Sequence, residues 1–474
     1  VILAALTTAL AIVAQDDTAL RAAPRDSAQQ QVQLWQGDTL EVRGERLGFL
    51  QVWDHQRERG GWVRATQLRT LDFDEQQAPE LLSVLRFLRD APGQEPLGIA
   101  YAAAYLRAAP AEQIDAEPFD ALGSMAERLA RRASGKQLKA DEAKTAAHLD
   151  VTRRYGVAWT QFERDDGRIQ LCYDGDAYRR VLTLPATPAQ QARAALALTR
   201  HDCIDPAMPP LERVQLDQWR ADTLERVDLA KLDGMTKNRV RLRRAGVWSA
   251  LAYAHARRAD GATAAATAGA KALEALAGVD RAQLPEEDQR AYTEAAVRVG
   301  ASRWAVEPGA APEGKLAVTT TAGQPGETCV LLTGPKNDAK NPLLRRCTYG
   351  RVWASSARAN AGGTALTLAV QPLDTWLELW VFTQQDGGWS VQVLPPAATE
   401  PDIGYVEFAG WVPGGKQMLA AREARVDGRW TRTYELLSLA TLATERSAAA
   451  PEHLTPFYRW QSAEWKQRTI SLRE

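Results

Sequence analysis

Residues 36–63 read QGDTLEVRGERLGFLQVWDHQRERGGWV, and their periodicity decides the character of the amino-terminal part. Leu40 and Val42 stand two apart, so both fall on one face of a strand. In the next run Phe49 and Trp53 share one face, while Leu50 and Val52 share the other. Turns are supplied by Gly37-Asp38, the stretch Gly44 to Gly48, and Gly60-Gly61. Followed outward to Leu20, Val32 and Leu34 on one side and to Leu71 on the other, the pattern predicts five short strands between Thr18 and Leu71. Apolar residues on both faces of such strands point to a small closed or half-closed barrel, which removes exposed sheet edges.

The whole chain has 474 residues, which at roughly 150 per domain suggests about three domains. With 45% hydrophobic and 25% charged residues it is globular rather than disordered. The 58 Lys+Arg against 59 Asp+Glu lack the positive excess on which nonspecific nucleic-acid affinity depends, so no nucleic-acid partner is expected. Tryptophan is the outlier at 15 copies, enough to staple β cores or to line binding surfaces.

At the amino end VILAALTTALAIVA (1–14) is uncharged, apolar and followed at once by Gln15, Asp16 and Asp17. It is too short to span about 30 Å of hydrocarbon as a helix. It fits the apolar region of a secretory signal peptide, with small residues at Ala9 and Ala11, or Ala14 alone, offering cleavage sites. A periplasmic protein with no stable membrane insertion is the expected product; the rival reading is a buried amino-terminal helix or strand.

From Pro79 to Trp304 the period changes from two to about 3.6. Leu81, Leu82, Leu85 and Leu88 mark a first helix and Leu97 to Ala108 a second. Others are predicted near Ala116 to Arg132, Asp141 to Arg154, Pro188 to His201, Leu211 to Val227, Lys237 to Arg258, Ala262 to Ala277 and Glu286 to Arg303. Proline and glycine separate them. No stable 34-residue period emerges, so the expectation is an irregular helical array rather than a named repeat. A β-hairpin at 157–173, turning at Asp165-Asp166-Gly167, interrupts it. Asp174 and Asp176 follow as cation or base-pair contacts, or as plain turn chemistry. Past a Pro/Gly-rich linker at 307–314 the strand period returns, ending in a predicted closing strand Thr469 to Leu472. The predicted layout is therefore multidomain α+β: a signal remnant (1–14), a barrel (15–75), a helical domain (76–306), the linker, and a Trp-rich antiparallel β domain (315–474).

Four cysteines allow three pairings. Cys172 with Cys203 and Cys329 with Cys347 is the one that bridges no two predicted domains, and such bonds persist outside the cytosol. A zinc site is the alternative, but there is no C-x-x-C, and only His201 lies close to a cysteine, Cys203. No metal or cofactor is expected.

The order Ala19-Leu20-Arg21-Ala22-Ala23-Pro24, Gln36-Gly37-Asp38-Thr39-Leu40-Glu41-Val42 and Gly61-Trp62-Val63 resembles the bacterial SH3 domain over about fifty residues. Phe49 departs from it, standing where that family usually carries Trp. The resemblance implies an SH3-like barrel that docks onto peptidoglycan or an envelope protein or peptide. Trp35, Phe49, Trp53 and Trp62 are the candidate groove residues, because rigid rings bury much area while losing few rotatable bonds. The same rings could instead close the barrel or pack on a neighbouring domain. Near the carboxyl end Gly410-Trp411-Val412-Pro413-Gly414-Gly415-Lys416 resembles the blade motif of TolB-like propellers, with Val and Gly in place of its Ser and Asp. Three or four blades at most fit the remaining length, so an incomplete propeller or a sandwich is expected.

No nucleophile elbow, phosphate-binding loop, dinucleotide fingerprint or His-Glu-x-x-His helix is present. No catalytic residue is therefore assigned. The expected function is a periplasmic binding or scaffold protein, the alternatives being a cell-wall hydrolase or its activator and an envelope assembly factor.

Overall fold

Short alternating apolar runs become strands where a common core can take their buried face. The computed structural model describes residues 9–136, 138–164, 167–307, 315–385, 387–399 and 401–470. The chain divides into two compact units, Val1–Met208 and Pro209–Glu474.

In the first unit β1 (Leu10–Val13), β2 (Thr18–Arg21), β3 (Gln30–Leu34), β4 (Thr39–Arg46), β5 (Phe49–Asp54), β6 (Arg59–Arg64) and β7 (Leu68–Leu71) form one antiparallel sheet. Its order is β3-β2-β6-β5-β4-β1-β7. The edge strands β3 and β7 are not bonded to each other, so the predicted barrel does not close. The sheet nevertheless wraps one core, in which Val13, Leu20, Leu34, Leu40, Val52, Val63 and Leu68 meet. The apolar stretch expected to be a leader over 1–14 needs correction from Leu10 onward. Leu10–Val13 pairs with both β4 and β7, and Ala11, Ile12 and Val13 are buried. Cleavage after Ala11 or Ala14 would cut into or remove this strand. The rest of the predicted leader, 1–8, lies outside the described residues.

Helices α1 (Ala78–Arg89), α2 (Glu95–Ala108), α3 (Glu117–Ser134) and α4 (Lys139–Arg153) follow. The first three carry Pro in their first turn, where its missing N–H costs nothing. Leu81, Leu85 and Leu88 of α1 are buried as their spacing requires. Ile12 and Leu71 join α1 and α2 in one apolar cluster, which ties the sheet to the helices. The hairpin β8 (Trp159–Glu163) and β9 (Ile169–Tyr173) is present, although Asp165 and Asp166 of its turn lie outside the described residues. Two more helices, α5 (Asp176–Thr183) and α6 (Pro188–Leu198), complete the unit. Eight residues are too few for α5 to announce itself by periodicity; α6 opens on a reciprocal Thr187–Gln190 capping box.

The second unit does not respect the predicted border at 306/307. Helices α7 (Pro210–Glu225), α8 (Gly234–Ala256), α9 (Ala262–Ala277) and α10 (Glu286–Ser302) belong with the β structure. Ala256, Ala265, Val297 and Ala301 share a core with Trp353, Tyr405, Tyr434, Phe457 and Trp465. Of the linker 307–314, residues 308–314 lie outside the described residues. Strands β10 (Ala317–Ala322), β11 (Thr328–Thr333) and β12 (Leu344–Thr348) make a small sheet.

The larger sheet holds β13 (Arg351–Ala359), β14 (Ala365–Leu373), β15 (Trp376–Gln385), β16 (Gly388–Leu394), β17 (Gly404–Trp411), β18 (Gln417–Val426), β19 (Arg429–Ser438) and β20 (Thr444–Ala448). It consists of two four-stranded meanders joined by one short parallel pairing, Trp376 to Gly404 and Leu377 to Tyr405. The glycine pairs Gly362-Gly363 and Gly414-Gly415 sit in the first hairpin of each meander. The TolB-like phrase is the second of these turns, with φ of +98° at Gly414 and +70° at Gly415. Instead of the predicted closing strand, α11 (Thr455–Trp460) and α12 (Ala463–Arg468) cover the second meander; Thr469 and Ile470 are in no strand, and Leu472 lies outside the described residues. Among the described residues no helix is long and apolar enough to cross a membrane.

Candidate binding face of the amino-terminal sheet

Strand alternation in β5 sends Leu50 and Val52 into the core and Phe49, Gln51 and Trp53 to the opposite face. Register then assembles that outer face. Trp62 stands opposite Gln51, Arg64 opposite Phe49, and Gly60 opposite Trp53. From β4, Arg46 stands opposite Phe49 and Glu41 opposite Trp53; from β2, Arg21 stands opposite Trp62.

Both glycines before Trp62 have a steric reason. A Cβ on Gly60 would come within 3.1 Å of the Trp53 ring, and one on Gly61 within 2.8 Å of Leu20 Cδ1. Gly60 thus leaves room for an indole outside the sheet, and Gly61 for a core leucine inside it.

Three of the four predicted groove residues lie on this face, but not equally open. Trp53 and Trp62 are half-buried. Phe49 is 5% exposed and lies beneath the Arg64 guanidinium, 5.2 Å from its ring centroid. Arg43 stacks similarly on Trp53 at 4.6 Å, a cation–π contact worth about 0.5–1 kcal/mol at an exposed site. Sequence reading missed these arginines. Counting by two from Trp62 to Arg64, as was done for the rings, would have placed Arg64 beside them.

Trp35 is elsewhere. Its ring meets His148 of α4 edge-on at 6.2 Å, in a polar junction between sheet and helices. His148 Nε2 lies 2.9 Å from Asp16 Oδ1, and Arg132 donates to His148 Nδ1 at 2.9 Å. Arg132 and Arg128 both hold Glu95, at 2.8 and 2.7 Å. Gln36 donates to Asp16 and to the Gly93 carbonyl. Beside them Asp38 is paired with Arg57 and Arg154, and the Tyr155 hydroxyl donates to Gly37 O at 2.5 Å. Burial pushes that phenol up to about 12. The Gly37-Asp38 pair of the SH3-like phrase therefore anchors the sheet to the helices.

The four cysteines form the bonds Cys172–Cys203 and Cys329–Cys347. Glu327 lies near Cys329 and Cys347, but a disulfide offers no thiolate to a metal. The same holds for Cys203 beside His201. Asp174 accepts from the Asp176 N–H at 3.1 Å, ordinary turn chemistry at the start of α5. The His148 ring nitrogens meet Asp16, Gln36 and Arg132.

A second charged cluster borders a cavity of about 40 Å³ in the other unit. There Glu407 takes Arg303, the Trp465 indole N–H and the Thr469 hydroxyl, while Glu464 takes Arg358 and Arg468. These charges satisfy one another, which makes the cluster a brace of the fold. No family model, curated protein or solved structure matches the chain.

Proposed function

We propose that this chain is an exported envelope docking protein, with an SH3-like amino-terminal sheet whose outer face binds peptidoglycan or an envelope peptide. The observation that carries the reading is the placement of Trp53 and Trp62 on one side of a rigid sheet whose other side is a closed core. Rings held that way can bury area without first losing freedom. The ordered SH3-like phrases support it, and the two disulfides fit an oxidising compartment such as the periplasm.

The test is sedimentation of the protein with purified sacculi, followed by muropeptide analysis. The proposal expects retention without new products, reduced severalfold in Trp53→Ala and Trp62→Ala. Retention unchanged in both variants overturns the assigned face, and released muropeptides overturn the docking role in favour of a wall hydrolase.

A further inference from the structure

Between the end of α3 and the start of α4 the first unit holds a cleft of about 490 Å³, within the size range of small-ligand pockets. Arg131 and Arg132 reach it from the last turn of α3, Lys136 from just beyond, and Lys144 from α4; Asp141 is the one carboxylate among the lining residues. Four of the lining side chains are cations and one is an anion, in a chain whose net charge is -1.

Helix-dipole stabilisation accounts for Arg131 and Arg132 at the end of α3. It does not account for Lys136 and Lys144 converging on the same space. Nor does it account for how the inner pair is held. Lys144 Nζ rests 2.7 Å from Asp16 Oδ2, and Arg132 is fixed between Glu95 and His148. Asp16 and Glu95 are 12% and 1% exposed, so these countercharges lie behind the wall while the cations front the cleft. Arg131, paired with Glu127, and Lys136 are exposed at the rim. Cations positioned in advance lose little freedom when an anion arrives.

We infer that this cleft binds a small polyanion carrying phosphate or carboxylate groups, with Arg132 and Lys144 as its inner contacts and Arg131 and Lys136 as its exposed outer ones. The site is separate from the outer face of the sheet, and either can fail without the other.

Calorimetric titration of the full chain with inorganic pyrophosphate, and in parallel with citrate, tests it. Saturable one-to-one binding is expected, weakened roughly tenfold by Arg131→Gln with Lys136→Gln and again by 0.5 M salt. The His148 imidazole resonances should shift on titration, because Arg132 touches both. Tighter binding of pyrophosphate assigns a phosphate-bearing ligand, and tighter binding of citrate a polycarboxylate. Absence of saturation with both, or equal affinity in the double variant, overturns the inference. Both substituted side chains are exposed, and an unchanged melting temperature verifies that the variant is folded.

Discussion

Arg132 donates to His148 Nδ1, and a guanidinium cannot accept. The imidazole must therefore carry its proton on Nε2, where it donates to Asp16 at 2.9 Å. The 3.3 Å approach of the Gln36 amide nitrogen to the same Nε2 is then a contact between two donors, each bonded elsewhere. One arginine on a helix thus sets the tautomer of a histidine that holds the sheet. Nitrogen-15 spectra of the imidazole should place the proton on Nε2 and leave Nδ1 as the acceptor.

Asp16 is held down to about 2 from the usual 3.8: burial alone would raise it, and this is overcome by the hydrogen bond from His148 and by the hydrogen bond and charge of Lys144. A depressed folded-state value means the carboxylate stabilises the fold above the unfolded pKa, and that stability is lost as pH falls from about 4 through about 2. The linkage is worth roughly 2 kcal/mol. Denaturant unfolding followed from pH 6 to pH 2 should show this loss in the wild type and a shallower one in Asp16→Asn.

Gly37 has φ of +86°, and a Cβ there would come within 2.7 Å of the Pro96 carbonyl oxygen. Gly48 has φ of +73° with nothing within 4 Å of its added Cβ. Gly48→Ala should cost about 1 kcal/mol, from backbone conformation alone. Gly37→Ala adds a collision with backbone and should cost at least about 2 kcal/mol more. Equal melting temperatures for the two variants would contradict the tight approach of the β3–β4 turn to α2.

Cys172–Cys203 spans 31 residues and Cys329–Cys347 spans 18. By loop-closure entropy each contributes roughly 3–4 kcal/mol, the longer one about 0.5 kcal/mol more. Replacing either pair with alanines should lower stability by that order in urea unfolding. A change below about 1 kcal/mol for both would argue against their structural role.

Glu407 is buried with Arg303, Trp465 and Thr469 around it. Burial would lower the Arg303 pKa, but Glu407 and Glu307 keep the guanidinium charged. Glu407→Ala leaves Arg303 with Glu307 alone and takes the acceptor from the Trp465 and Thr469 donors, and should cost about 3 kcal/mol or more. Thr469→Val removes one neutral donor to a charged acceptor and should cost about 1.5–3 kcal/mol. The order of the two, read by tryptophan fluorescence in urea, checks the assignment.

Long periodic segments were legible: α1, α2, α3, α8, α9 and α10 fall where the 3.6 period places them, and both cysteine pairs match. What escaped had a local cause. Helices α5, α11 and α12 are eight residues or fewer, shorter than two or so turns of reliable pattern. β1 was hidden because four apolar residues at the end of a longer apolar run read equally well as leader or strand. The border at 306/307 failed because a change of period marks a change of element, whereas a compact unit is set by shared burial, here Val297 and Ala301 against Tyr405. On the candidate face, alternation placed Phe49 with Trp53 but could not foresee that Arg64 would cover one ring and leave the other half open.

Because β1 lies between β4 and β7, residues 10–13 find their partners only after residues 39–41 and 68–71 have been made. Of the seven strands of this sheet, the one made earliest is therefore among the last that can be fully paired. Until Leu71 emerges, the β7-facing edge of β1 stays open, and its apolar residues Ile12 and Val13 are the point at which a stalled chain would aggregate.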